Sequence, residues 1–162
     1  MPVAYLGLGS NLDAERNLQL ALHELRERFS VQKISTVYRS KALGFDGADF
    51  LNAVVSIETR LSPRELCGEL EQIHETAGRQ RRPEKFIART LDIDLLLYGQ
   101  LVLDEPPTRL PRKDVLQYSF VLRPLAEIAP DYCHPATRKS LREHWQEFDA
   151  TTHPLTAVEL AF

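Results

Sequence analysis

The segment ARTLDIDLLLYG, residues 88–99, alternates between apolar and polar side chains over most of its length, which is typical of a β-strand with one buried face. Successive side chains of a β-strand point to opposite faces. One face of the predicted strand therefore carries Leu91, Ile93, Leu95 and Leu97. The other face carries Asp92, Asp94, Leu96 and Tyr98, with Arg89 just before the acids. Because paired carboxylates repel each other, we expect a positive species to hold the two aspartates side by side.

The whole chain has the composition of one compact domain over residues 1–162. Of its 162 residues, 43% are hydrophobic and 27% are charged, which suits a single core. The net charge of −3 argues against general attraction to nucleic acid or membranes. The chain shows neither a basic leader nor an apolar run long enough to span a bilayer. With only two cysteines, Cys67 and Cys133, a disulfide framework is not expected, and a cytoplasmic location is predicted.

Hydrophobic periodicity predicts the element order strand–helix–strand–strand–helix–strand. This is the order of a ferredoxin-like βαββαβ sandwich of the α+β class, with an antiparallel sheet and C-terminal helical additions. Strands are expected at 2–8, 31–38, 50–59 and 88–99, and helices around 18–29, 62–78, 119–130 and 141–148. Pro124 predicts a turn or a helix start near residue 123. The segments 40–49 and 104–111 are predicted loops, and the last dozen residues are weakly patterned.

The acid pair favours a hard-cation site. Carboxylates without a nearby histidine or cysteine ligand suit Mg²⁺ or Mn²⁺, and two such ions bridged by carboxylates form a clamp for phosphoryl transfer. An ordinary polar strand face is the alternative interpretation of Asp92 and Asp94.

The preceding segment GRQRRPEKFIAR, residues 78–89, is strongly basic. Against one acid, Glu84, it carries Arg79, Arg81, Arg82, Lys85 and Arg89. A solvated surface or an RNA-binding patch would explain such a run by itself. Directly before two carboxylates, it indicates a site for a nucleoside triphosphate and its metal.

The remaining candidate features are weaker. GLGSN, residues 7–11, begins a dinucleotide fingerprint, but Leu12 breaks G-x-G-x-x-G and the P-loop lysine is missing, so a tight turn capped by Ser10 or Asn11 is expected. Phe50 and Asn52 share a strand face and would suit a flat heterocycle, or else ordinary packing with one hydrogen bond. The five histidines show no metal-ligand spacing and are mostly expected at the surface.

Several of these segments, in this order, resemble the 6-hydroxymethyl-7,8-dihydropterin pyrophosphokinases of folate biosynthesis. The arginine followed by D-x-D in RTLDIDLLLYG is the most specific element. The resemblance covers residues 4 to about 135 and is carried by AYLGLGSNL, VYRSKALG, DFLNAVVSIET, GRQRR, RTLDIDLLLYG and LPRKDVLQYSFVLRPLAEIAP.

The resemblance implies transfer of the β,γ-pyrophosphoryl unit of ATP to the hydroxymethyl group of the pterin, with release of AMP. It also implies a monomer with ATP and the pterin as partners. Two Mg²⁺ ions would be held by Asp92 and Asp94. Charge on the triphosphate would be neutralised by Arg79, Arg81 and Arg89, as catalytic and ATP-binding residues, and by Arg112. The pterin would be bound by Leu43, Phe50, Asn52 and Phe120.

Some positions depart from the family pattern. Ile87 and Ala88 stand where Gly-Pro is usual, Arg112 replaces a histidine, and Tyr118 replaces an arginine. These departures are compatible with a slower enzyme or with a non-catalytic or substrate-shifted paralogue that binds pterin or nucleotide. An RNA-binding ferredoxin-like module is a third hypothesis, although the chain shows no aromatic-rich RNP1-like strand.

Overall fold

The computed structural model describes residues 1–42, 47–78 and 91–160. The strands are β1 (Val3–Ser10), β2 (Ser30–Ile34), β3 (Val37–Ser40), β4 (Phe50–Glu58), β5 (Asp92–Tyr98), β6 (Leu103–Glu105), β7 (Thr108–Leu110) and β8 (Thr156–Val158). The helices are α1 (Ala14–Arg28), α2 (Pro63–Thr76), α3 (Asp114–Gln117), α4 (Ser119–Ile128) and α5 (Leu141–Glu147). None of the helices in these ranges is long and apolar enough to cross a membrane.

The main sheet has the strand order β5-β1-β4-β3-β8, with β2 also pairing with β4, and its pairings are antiparallel. The fifth strand lies beside the first, as the ferredoxin-like βαββαβ arrangement requires, so the predicted fold class is confirmed. The strand expected over 31–38 is divided into β2 and β3. Ser35 lies between them, and it exchanges hydrogen bonds with the backbone of Val54, which bends the chain there.

Each face of the sheet packs against helices. Helices α1 and α2 cover one face, where the buried side chains include Leu6, Leu18, Leu22, Val55, Leu66 and Ile73. Helices α3, α4 and α5 lie on the other face, with Val54, Leu96, Val115, Leu122, Leu125 and Leu141. These C-terminal helices leave part of the second face uncovered, and that part forms one of the cavities described below.

Helix α2 begins and ends where the sequence predicts. The Ser62 hydroxyl accepts a hydrogen bond from the backbone N–H of Glu65, whose carboxylate accepts one from the N–H of Ser62. Pro63 occupies the first turn, where its missing N–H costs nothing. Gly78 follows the helix with a φ of +79°, which glycine adopts without strain.

Two details of β5 differ from the predicted alternation. The pairing between β1 and β5 shifts at Tyr5, because β5 carries an extra residue there. A β-bulge of this kind reverses the faces of the residues beyond it. Leu97 therefore packs with α4 instead of with Leu95, and Tyr98 turns to the opposite face, where its hydroxyl donates to the carbonyl of Leu61.

The C-terminal half contains more structure than predicted. Helix α4 runs through Pro124 without restarting near residue 123, because its buried side chains hold the helix where the proline removes one hydrogen bond. The segment 104–111 is mostly a hairpin of β6 and β7. The weakly patterned tail adds β8 to the sheet, paired with β3.

Candidate functional site

The two aspartates lie in β5 directly opposite two glycines of β1. Gly9 pairs with Asp92 and Gly7 pairs with Asp94. A Cβ atom on Gly7 would lie 3.3 Å from the side chain of Leu96. Both glycines therefore belong to a strand. Because they have no side chain, they leave free space on the surface beside the two aspartates.

The predicted turn at GLGSN, capped by Ser10 or Asn11, is wrong. Strand β1 continues to Ser10, and the residue before α1 is Asp13, with a φ of +47° and no side-chain capping bond. The hydroxyl of Ser10 instead donates to the carbonyl of Leu12. The pairing of Gly7 and Gly9 with β5 holds the segment extended, which local turn preferences do not reveal.

Beside the glycines is a cavity of about 310 Å³, which we call the aromatic cavity. Its walls come from β1, β4, β5 and α4. It brings together the predicted Phe50, Asn52, Phe120, Asp92 and Asp94, along with Tyr118 and Asp114. Phe50 and Asn52 share a face opposite the buried stripe of β4, as predicted.

The side chain of Asn52 is held in one orientation. It is buried, and its amide nitrogen donates to the hydroxyl of Ser40 over 2.8 Å and to the carbonyl of Tyr38 over 3.3 Å. Both bonds use the amide nitrogen. The orientation of the amide is thereby fixed, and its oxygen can accept a hydrogen bond from a ligand.

The aromatic wall of this cavity is a stack of two rings. Tyr118 lies over Phe120 with centroids 5.0 Å apart and ring planes 15° apart, and His153 from the tail packs against both rings. Such pairs add to the energy of burial. Tyr118 thus supports Phe120 in this chain.

A second cavity, which we call the polar cavity, lies on the other side of the acids and measures about 580 Å³. Its lining includes Cys67, Glu71, His74, Arg109 and Arg112. Asp92, Asp94 and Asp114 line both cavities. The carboxylates therefore stand at the junction of an aromatic cavity and a polar one.

The electrostatics of the junction favour a cation. Burial raises the pKa of the Asp94 carboxyl, and the nearby carboxylates of Asp92 and Asp114 raise it further, while the guanidinium of Arg112 lowers it. The guanidinium of Arg112 lies 3.8 Å from the carboxylate of Asp94 and 3.3 Å from that of Asp114. The structure therefore places predicted Arg112 at the junction, beside the acids.

These residues fit a magnesium ion. In the described part of the chain, no three histidine, cysteine or acidic side chains form a metal-binding group. Mg²⁺ needs fewer, because it commonly takes one or two carboxylates and completes its shell with water and phosphate oxygens. Asp92 and Asp94 meet that requirement, and a bound cation would relieve the repulsion at Asp94.

Buried His74 is a residue of the site that sequence reasoning missed. Its Nε2 accepts a hydrogen bond of 2.8 Å from the backbone N–H of Ile93, between the two acids. His134 is also buried, so these two histidines are exceptions to the expectation that most of the five lie at the surface. The burial of His74 was predictable, because His74 continues the helical apolar pattern of Leu66, Leu70 and Ile73. For Asp114, no pattern pointed to the site.

Several predicted site residues lie outside the described residues. They are Leu43, Arg79, Arg81 and Arg89. Their roles stay predictions.

A family model matches most of the chain. The family described as 7,8-dihydro-6-hydroxymethylpterin-pyrophosphokinase (HPPK) matches residues 5–130. The 2-amino-4-hydroxy-6-hydroxymethyldihydropteridine pyrophosphokinase of Aquifex aeolicus is 39% identical over 145 residues, which are 88% of this chain and 90% of the relative. The protein of the same name from Haemophilus influenzae is 40% identical over 139 residues, which are 83% of this chain and 86% of the relative.

Solved structures with the same fold are more distant in sequence. The HPPK-DHPS protein of Plasmodium falciparum, crystallised with pterin and p-hydroxybenzoate, aligns with a TM-score of 0.74 at 14% identity. The alignment covers 93% of this chain and 44% of that one. This chain thus spans less than half of the longer Plasmodium protein, and at this identity the likeness shows the fold alone.

Proposed function

This chain belongs to the 7,8-dihydro-6-hydroxymethylpterin-pyrophosphokinase family, and we propose from its two cavities how its residues carry out the family's reaction. The chain is an ATP-dependent pyrophosphokinase that transfers pyrophosphate from ATP to hydroxymethyldihydropterin in folate biosynthesis. The observation that carries the proposal is the position of Asp92 and Asp94, which line the aromatic and the polar cavity at once.

The aromatic cavity is the proposed pterin site. Its volume of about 310 Å³ lies at the lower end of the range for small-molecule pockets, as suits a bicyclic ring. Phe50 and Phe120 would hold the ring between their faces, and the fixed amide of Asn52 would read its edge. Leu43 is proposed to complete the wall.

The polar cavity is the proposed site of the ATP phosphates. Arg112 supplies one cation there. Arg79, Arg81 and Arg89 belong to the segment that joins α2 to β5, two elements whose residues line this cavity. We propose that these arginines neutralise the triphosphate and stabilise the transferring group, because one guanidinium group can donate two parallel hydrogen bonds to the oxygens of a phosphate.

The carboxylates of Asp92 and Asp94 would hold Mg²⁺ at the junction. The family's ATP-dependent chemistry generally needs this ion, and we propose that two ions bind here. The bound metal supplies neutralising charge to the phosphates. The residues of the chain hold the two substrates so that the hydroxymethyl oxygen meets the β-phosphorus of ATP. A bond forms between those atoms and the hydroxyl proton is released to solvent, while the bond from the β-phosphorus to the oxygen bridging it to the α-phosphorus breaks and AMP leaves with that oxygen.

Release of AMP tests this function directly. We expect AMP from ATP and Mg²⁺ when 6-hydroxymethyl-7,8-dihydropterin is present and only background release when it is absent. If the protein binds the pterin in a titration but releases no AMP with it, the non-catalytic paralogue is the better description. Release of ADP with either mixture would also contradict the proposal.

We further propose that residues 1–162 act as a single domain and as a monomer in the cytoplasm, without a nucleic-acid or membrane partner. The pairing of β8 with β3 supports the single domain, because it joins the tail to the main sheet. Two free cysteines, Cys67 and Cys133, fit a reducing compartment. Light scattering of the purified protein would test the monomer.

A further inference from the structure

Strand β5 is an edge strand of the main sheet. On one side it pairs with β1, through Gly7 opposite Asp94 and Gly9 opposite Asp92. Alternate residues of an antiparallel edge strand turn their backbone N–H and C=O groups away from the neighbouring strand. The N–H of Ile93 is such a group, and it lies between the two aspartates.

The partner of this N–H is a buried side chain of α2. His74 is 4% exposed, and its Nε2 accepts the hydrogen bond from Ile93 over 2.8 Å. Its Nδ1 lies 3.1 Å from a carboxylate oxygen of Glu71, one helical turn earlier. An accepting Nε2 carries no proton, so the neutral ring has its proton on Nδ1 and donates it to Glu71.

We propose that His74 is a positioning residue, which holds the backbone of Ile93 so that Asp92 and Asp94 are fixed for the metal-bound nucleotide. The proposal rests on the proposed function, because it assigns those carboxylates to the metal. The two aspartates are held by β1 on one side and at their midpoint by His74 on the other. Without the histidine, the edge strand loses that anchor, and a buried N–H loses its acceptor.

Two amides of different length make the test specific. In His74→Gln, the carbonyl oxygen of the side chain can reach approximately the place of Nε2 and accept from Ile93. In His74→Asn, the shorter chain puts its oxygen near the place of Nδ1, too far from Ile93. Both variants replace the ring by a neutral amide, so they differ mainly in the proposed contact.

The readouts are calorimetric binding of α,β-methylene-ATP with Mg²⁺, titration of the pterin, and exchange of the Ile93 amide proton by NMR. We expect His74→Asn to weaken nucleotide binding by about ten-fold or more and to speed Ile93 exchange by a similar factor. His74→Gln should stay within about three-fold of the parent in nucleotide affinity, and pterin affinity should change by less than about two-fold in both variants.

His134 provides a matched control. It is also 4% exposed, but its Nδ1 is the accepting atom, from the N–H of Ala136, and it lines neither cavity. His134→Gln therefore removes a comparable contact outside both cavities and should leave nucleotide affinity unchanged. Glu71→Ala provides a second variant if the changes at His74 impair folding. It removes the acceptor for Nδ1, and it also removes a carboxylate from the polar cavity, which by charge alone would favour the anionic nucleotide. Weaker nucleotide binding in Glu71→Ala would therefore support the positioning role of His74, and unchanged or tighter binding would count against it.

Nucleotide affinity in His74→Asn equal to that of the parent, with faster Ile93 exchange, would overturn the proposal. Equal loss in His74→Asn, His74→Gln and His134→Gln would also overturn it, because the effect would then be general destabilisation. If the parent protein itself neither binds the magnesium nucleotide nor releases AMP, the proposed function fails instead.

Discussion

The two cavities share their acids but are built in different ways. The aromatic cavity is shaped by packing: Asn52 is buried and doubly hydrogen-bonded, and Phe120 stacks on Tyr118. The polar cavity is shaped by charge. In its lining, the side chains of Asp94 and Arg112 are 43% and 39% exposed, and the carboxylate of Asp94 lies 3.8 Å from the guanidinium of Arg112. Exposed ion pairs of this kind contribute little to stability.

From this difference we propose that recognition of the two substrates is divided between the two cavities. In the aromatic cavity, which we propose as the pterin site, the packed rings and the hydrogen-bonded Asn52 amide are already in place within the fold. The phosphate side instead collects like charges that a cation would neutralise. Substitutions in the two cavities should therefore have separate effects on the two substrates, and they should have opposite effects on stability.

Asp94→Asn should produce the largest effect. Removing one metal ligand should lower kcat/KM by about a thousand-fold or more, on the order of 4 kcal/mol, while pterin affinity changes little. Steady-state AMP release and a pterin titration measure the two quantities. The control is Asp131→Asn, which removes an exposed acid outside both cavities. Turnover at the parent rate in Asp94→Asn would refute the metal role.

Asn52→Ala should weaken pterin binding and leave nucleotide binding nearly unchanged. It removes the amide that would read the pterin edge, so pterin binding should weaken by about ten- to a hundred-fold, while the affinity for magnesium nucleotide stays within about two-fold. Calorimetry with each ligand separates the effects. A comparable loss of nucleotide affinity would show that the cavities are not independent.

The family departures offer a gain-of-function test. Arg112→His frees Asp94 and Asp114 from a guanidinium, and Tyr118→Arg supplies a charged, forked donor in place of a hydroxyl. We expect the double variant to raise kcat/KM by about ten-fold. Because Tyr118 supports Phe120, we also expect Tyr118→Arg alone to weaken pterin binding modestly. A double variant no faster than a briskly active parent would show that the ATP site was not weakened.

The smallest effect concerns stability without ligands. The pKa of the Asp94 carboxyl is raised in the folded chain, mainly by burial. The contribution of this carboxyl to the free energy of unfolding is therefore fully present below the unfolded pKa of about 4, and it is lost as the pH rises through the folded pKa. Asparagine does not ionise. Asp94→Asn should therefore raise the free energy of unfolding at pH 7 by less than about 1 kcal/mol.

Urea unfolding at pH 7 and near pH 3, without Mg²⁺ or nucleotide, checks the sign. The stabilisation should disappear at the lower pH. A variant that is less stable than the parent at pH 7 would contradict the proposed repulsion at the junction. Asn52→Ala, by contrast, should be less stable at both pH values, since it breaks buried hydrogen bonds.

Regular periodicity explains which parts of the fold were predictable. Helix α2 was predictable from its capping box at Ser62 and its apolar stripe, and the faces of β4 followed from strict alternation. The bulge in β5 was not predictable, because it is set by pairing with Tyr5 across the sheet. Strand β8 has little apolar pattern of its own and forms because β3 offers it an open edge.

The site residues also divide into those that local sequence predicts and those that only the folded chain brings together. Asp92 and Asp94 share a face because they are two residues apart in one strand, and the same spacing joins Phe50 to Asn52. His74 and Asp114 come from other elements, and their contact with the acids is created by folding alone. Gly7 and Gly9 suggested a turn because local sequence does not record the strand that pairs with them.

In the proposed mechanism, the carboxylates of Asp92 and Asp94 hold the metal between the two substrates. The most direct measurement is anomalous diffraction from a crystal grown with Mn²⁺, α,β-methylene-ATP and 6-hydroxymethyl-7,8-dihydropterin. We expect two manganese peaks contacting Asp92 and Asp94, with the phosphates in the polar cavity and the pterin between Phe50 and Phe120. Manganese peaks away from both aspartates, with the nucleotide and the pterin bound, would contradict this mechanism.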